Sequence, residues 1–185
     1  MFLNILKGCF IFRVGLFIIL MMSGISNVYA VVSHPIPTLR NQFSKWSVYQ
    51  YSDLNKTVCF ALSVPSVSEP LEGVKHGVNF LIVSLKKGHN DSYLPELVMD
   101  YPLDEETMIS VEVIGKYSSG QIFKMKPRNN RAIFEKRFDD DILIQAMKSG
   151  RALSVSAKSK RGTNTHYTFS LEGLSDALAD VPKCQ

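Results

Sequence analysis

Four histidines, three cysteines, seventeen acids and one dense run of cations are the side chains from which this chain would have to build any chemistry. Nucleophilic catalysis needs a Ser or Cys beside a base, with the base oriented by a third group. His34 lies in a proline-bearing stretch, His76 and His89 fall in turns, and His166 starts a strand; no G-x-S-x-G elbow accompanies them. Ser118 and Ser119 occupy an ordinary turn. No catalytic residue is assigned, and a non-enzymatic protein is expected. Metal chemistry fares no better. His89-Asn90-Asp91 reads as a solvated turn, and the consecutive acids Asp139-Asp140-Asp141 cannot all face one ion, whereas a helix N-terminus uses them fully. Asp104-Glu105-Glu106, in a turn led by Pro102, reads as a solvated face rather than an acid/base pair. No metal and no cofactor are expected. The sharpest positive feature is Lys158-Ser159-Lys160-Arg161. Lys158, Lys160 and Arg161 are candidate contacts for an anionic lipid, lipopolysaccharide phosphate or acidic polysaccharide. The plainer role is a soluble hairpin end that blocks edge aggregation. Without an adjacent aromatic, a nucleic-acid stacking surface is not expected there.

Those residues sit behind an address. Met1–Ala30 has the layout of a secretory signal peptide: Lys7 and Arg13, the apolar run Val14–Met22, then Val28-Tyr29-Ala30 with cleavage expected between Ala30 and Val31. Nine apolar residues rise about 14 Å, too short for a hydrocarbon core of about 30 Å, so no transmembrane span is expected after cleavage. The formal net charge of +4 falls to +2 once Lys7 and Arg13 are removed, which gives no reason to expect a nucleic-acid partner. Cys9 leaves with the leader, so the exported chain keeps Cys59 and Cys184. Two cysteines in an oxidising compartment read as one disulfide. A metal pair or a catalytic thiol is the alternative, and neither has helper residues. A closed loop of about 125 residues would stabilise the fold by roughly 4–5 kcal/mol in the chain-entropy model, less any native strain. It would also staple the C-terminus to an early strand.

Val31–Gln42 carries Pro35 and Pro37 without periodicity and reads as an extended tether; 43–185 is then a single β-rich domain. Strands are expected at Trp46–Tyr51, Thr57–Val64, Val78–Leu85, Leu94–Met99, Met108–Ile114, Gln121–Met125 and Ala132–Phe134. Trp46 and Val48 share a face, as do Cys59, Ala61 and Ser63, and Ile109, Val111 and Val113. Val78–Leu85 is apolar enough for a strand buried on both sides. A helix headed by Asp139–Asp141 carries the stripe Ile142, Leu143, Ala146, Met147, with Gly150 as a left-handed stop. A hairpin of Leu153–Lys158 and Thr165–Leu171 and a short helix near Ser175–Asp180 follow. About nine short strands with one or two short helices predict an all-β domain, a β-sandwich or jelly-roll-like fold.

Several pieces in order resemble the invasion-associated locus B family of exported bacterial proteins. They are the leader, Phe43-Ser44-Lys45-Trp46-Ser47-Val48, the strand around Cys59, Asp141–Gly150 followed by Ala152-Leu153-Ser154-Val155, and Thr168–Leu178 ending in Cys184. The resemblance spans about Phe43–Cys184. One departure is that family members often carry a cysteine shortly after the tryptophan, where this chain has Val48-Tyr49-Gln50. The resemblance implies a periplasmic, envelope-associated or secreted protein of a Gram-negative-type bacterium, with a role in host-cell invasion or colonisation. It brings no catalytic residue set. The expected partner is an envelope or host-surface protein or glycan. A general envelope-integrity protein and an unrecognised hydrolase are the rivals.

Overall fold

The computed structural model describes residues 36–53, 56–86, 92–115 and 120–184. Met1–Ala30, the Ala30/Val31 cleavage site, His34 and His89–Asp91 lie outside them. The described residues form one compact unit.

Among the described residues, eleven antiparallel strands make one continuous sheet in the order β1-β2-β3-β5-β6-β9-β8-β7-β10-β11-β4. They are β1 Thr38–Phe43, β2 Trp46–Asp53, β3 Lys56–Ser63, β4 Val67–Glu69, β5 Phe80–Leu85 and β6 Tyr93–Val98. After them come β7 Ile109–Ile114, β8 Ile122–Arg128, β9 Arg131–Ile133, β10 Ala152–Lys158 and β11 Asn164–Ser170. The expected all-β domain is present, with both inner faces supplied by one sheet that folds over on itself. β8 ladders to β9 on one side and to β7 on the other. The far strands then meet: the buried Trp46 indole of β2 donates to Ser170 O of β11 at 3.0 Å, and Lys45 N donates to Glu172 O.

Period-two alternation sends one residue in two inward. Trp46 and Val48, Cys59 and Ala61, Leu81 and Val83, Ile109, Val111 and Val113, and Leu153 and Val155 all join one core. Each Val, Leu or Ile among them contributes about 1.5–3 kcal/mol by leaving water. Ser63 shares the inward face of β3 and is satisfied by Lys45 O at 2.9 Å.

Four expectations change. β5 buries only Leu81 and Val83; Phe80 and Ile82 are half-buried and Val78 is exposed, so the strand is one-sided. Within the expected tether Val31–Gln42, residues from Thr38 onward form β1, an exposed strand with no apolar period. It is held by pairing to β2 and by Asp180, whose Oδ2 accepts from Asn41 Nδ2 at 2.7 Å and from Arg40 Nε at 3.3 Å. The first helix, α1 (Arg137–Ser149), begins earlier than the acids suggested, and Lys136 caps it without a side-chain bond. Asp139 and Asp140 instead sit in its first turn, where the macrodipole favours them. Gly150 is extended (φ −83°), and its requirement is space, because a Cβ there would strike the Val113 and Leu171 side chains.

The buried face of α1 is Asp140, Leu143, Ile144 and Met147, an i, i+3, i+4, i+7 stripe with a carboxylate in it. Asp140 Oδ2 lies 3.4 Å from Lys86 Nζ at the end of β5. α2 (Leu174–Asp180) packs on β1, β2 and β3 and leads into the 3₁₀ turn Val181–Cys184. There Cys184 and Cys59 of β3 form the expected disulfide, with an S–S distance of 2.10 Å and Cα atoms 6.1 Å apart.

Candidate functional site

Three connections converge at one end of the sheet: the β4–β5 loop, the β6–β7 loop and the tip of the β10–β11 hairpin. Between them lies a cleft of about 540 Å³. Each wall is fixed by identifiable bonds. In the β4–β5 loop, His76 is fully engaged. Its Nε2 donates to Pro70 O (2.8 Å), which leaves Nδ1 to meet the Tyr167 hydroxyl (3.1 Å), and its ring stands edge-on to Tyr167. The β6–β7 loop is tied to it through Asp100. Asp100 N donates to the buried Asn79 Oδ1 (3.0 Å), and Asp100 Oδ2 accepts from Gly77 N (2.8 Å). A Cβ on Gly77 would fall on the Asp100 carboxylate, so that close approach requires glycine.

The hairpin tip is built from Ser159. Its backbone N donates to Thr163 O, Gly162 N donates back to Ser159 O, and its Oγ accepts from Thr163 N. Gly162 is left-handed (φ 89°), which the turn needs. Lys160 N donates to Pro102 O, docking the tip on the β6–β7 loop. On the floor Tyr101 Oη and Thr165 Oγ1 are 2.6 Å apart. Burial pushes the Tyr101 phenol well above its usual range, against the lowering effect of its bond with Thr165, so the hydroxyl keeps its proton.

Lys160 and Arg161 line this cleft, joined by Lys75 from the β4–β5 loop. None of the three makes an ion pair among the described residues. Lys158 is separated from them, its ammonium 3.1 Å from Asp104 Oδ2. Asp104 is thereby held below the usual carboxylate range by its bond from Thr107, then by Lys158 and by Glu106 N. The sequence showed the tip cations as a run, but Lys75 is distant in the chain and only the fold adds it.

A second arrangement had no sequence signal. Across the β10–β11 ladder, His166 Nε2 is 3.2 Å from Ser154 Oγ and Nδ1 is 3.1 Å from Ser156 Oγ. Two serines at period two opposite a histidine would have revealed it had the register been known. Both ring nitrogens therefore face hydroxyls, and among the described residues neither is hydrogen-bonded to a carboxylate of the kind that orients a catalytic imidazole, although Glu69 of β4 pairs with His166 in register. Both serines are also in β10, paired on both sides, and at Ser154 and Ser156 the backbone amides belong to the sheet rather than to an oxyanion site. Among the described residues no three His, Cys, Asp or Glu side chains group as metal ligands, and no helix is long and apolar enough to cross a membrane.

No family model matches the chain, and no curated protein matches it. Among solved structures, invasion-associated protein B from Bartonella henselae is similar, with a TM-score of 0.54 and 15% identity over 78% of this chain and 95% of that one. The two share a fold.

Proposed function

We propose that the chain is an exported, non-enzymatic protein of the invasion-associated locus B type. It would bind a partner in the bacterial envelope or on the host surface and so contribute to invasion or colonisation. The carrying observation is the cleft, in which three fixed connections gather Lys75, Lys160 and Arg161, none of them ion-paired among the described residues, around a single acid, Asp100. A hairpin tip serving solubility alone has no need of two further loops fastened around it. Export is supported by the leader-like composition of Met1–Ala30 and by the Cys59–Cys184 disulfide, a bond favoured in oxidising compartments. The shared fold supports the family reading.

Deleting the gene tests this. Host-cell attachment or entry should fall while resistance to detergent and osmotic stress is unchanged, and complementation should restore it. Sensitisation to those stresses with normal attachment would overturn the reading in favour of an envelope-integrity role. The Ser154–His166 contact keeps a hydrolase as the second reading. Serine-reactive fluorophosphonate should leave the exported protein unlabelled, and stoichiometric labelling at Ser154 or Ser156 would favour the hydrolase instead.

A further inference from the structure

The cleft volume of about 540 Å³ falls in the range of small-molecule sites, roughly 300–1,000 Å³. Its chemistry is mixed in a particular way. Lys75, Lys160 and Arg161 supply positive charge, and the guanidinium can take a carboxylate in a two-point grip. Asp100 stands among them, fixed by Gly77 N. Three cations outnumber the one acid, so the cleft suits a ring that presents one carboxylate to it. Tyr101, Pro102 and Thr163 complete the lining with an aromatic ring, an apolar surface and a hydroxyl. A bare inorganic anion has no use for these. A sugar ring does, because its C–H face packs on apolar and aromatic surface and its hydroxyls pair with a carboxylate or a threonine.

Resting on the proposal that the domain binds a surface partner, we infer that this cleft binds a carboxylated pyranose, a hexuronic or sialic acid residue of a glycan. Charge recruits it and fixes the carboxylate; Asp100, Tyr101 and Thr163 select for the ring. The binding weakens with salt, as contacts between exposed charges do.

The test is titration of the disulfide-bonded mature protein, followed by amide NMR, with a hexuronate oligosaccharide and with sialyllactose. Lactose, inorganic phosphate and vesicles of anionic phospholipid are the comparators. Saturable shifts confined to Gly73–Gly77, Asp100–Tyr101 and Ser159–Thr163 are expected with an acidic sugar and not with lactose. Preference for sialate would point to host glycans, and preference for hexuronate to acidic polysaccharide chains; either supports the inference. Lys160→Glu/Arg161→Glu, on an exposed turn, should weaken binding at least tenfold, while Lys45→Glu/Lys124→Glu, outside the cleft, should not. Equal binding of phosphate or of anionic vesicles, or no saturable shift with either sugar, would overturn it. If the cleft variant still attaches to cells like wild type, the cleft inference fails and partner binding stands. If wild type attaches to nothing, the functional proposal itself fails.

Discussion

Replacing Lys86 by Met should destabilise the domain by an amount that depends on pH in a calculable way. Asp140 is almost fully buried; Oδ2 faces Lys86 Nζ at 3.4 Å and Oδ1 has no hydrogen-bond partner among the described residues. Burial raises its pKa, and Lys86 only partly offsets this. Ionisation of Asp140 therefore costs stability at neutral pH, a cost that shrinks as pH falls below the folded-state value and is gone below the unfolded one. Removing one partner of a buried pair costs about 3–5 kcal/mol. Protonation caps the loss. Neutralising a carboxyl of unfolded pKa about 3.9 costs roughly 4 kcal/mol at pH 7 and roughly 1.5 kcal/mol at pH 5, at 1.36 kcal/mol per unit. Lys86 also meets the more exposed Asp141 at 3.1 Å, worth at most about 1 kcal/mol. Urea unfolding of Lys86→Met against wild type should thus show a loss of up to about 4 kcal/mol at pH 7, shrinking below about 2 kcal/mol at pH 5. Lys86→Met/Asp140→Asn should recover most of the neutral-pH loss. A loss under about 1 kcal/mol at pH 7, or an equal loss at both pH values, would refute a desolvated Asp140 carboxylate.

Reduction, or Cys184→Ser, should lower stability by about 2–5 kcal/mol. Intact mass of the exported protein should begin at Val31, with both thiols alkylated only after reduction; thiols that titrate in the native protein would contradict the disulfide. Gly173 has φ 89°, and a Cβ there falls on the Phe43 carbonyl, whereas Gly162 has the same φ with open space around it. Thermal unfolding should rank Gly173→Ala well below Gly162→Ala, the latter losing only the left-handed penalty of about 1–2 kcal/mol. Asp104 is the mirror case of Asp140. Its lowered pKa adds stability that is present above the unfolded value of about 3.9 and lost as pH falls through the folded value. Thr107→Val should move the Asp104 titration, followed by carboxyl NMR, upward toward the ordinary value; an unmoved titration would assign the shift to another cause.

Alternation made most of the sheet legible, because Trp46/Val48, Cys59/Ala61 and Ile109/Val111/Val113 each mark a one-sided strand whatever their partners. β1 was not legible. Its side chains are nearly all exposed, and its order comes from β2 and Asp180, a residue near the other end of the chain. In α1 the apolar letters favoured Ile142 and Ala146, but the helix turns Ile144 inward together with Asp140, since Lys86 receives the acid. Gly150 looked like a stop and is a gap filled by Val113 and Leu171. In the site, Lys160 and Arg161 were visible as neighbours in sequence. Lys75 and the loss of Lys158 to Asp104 depend on loop placement, and the Ser154–His166 contact depends on strand register.

Partner binding is most directly measured by adding labelled, disulfide-bonded domain to intact host cells and to isolated envelope vesicles, with excess unlabelled protein as competitor. Saturable, displaceable attachment to one of the two surfaces is expected. Lys75→Glu/Lys160→Glu/Arg161→Glu, folded as judged by its amide spectrum, should reduce that attachment at least tenfold. Attachment that rises without saturation and is not displaced, on both surfaces, would contradict the claim that this is a binding domain.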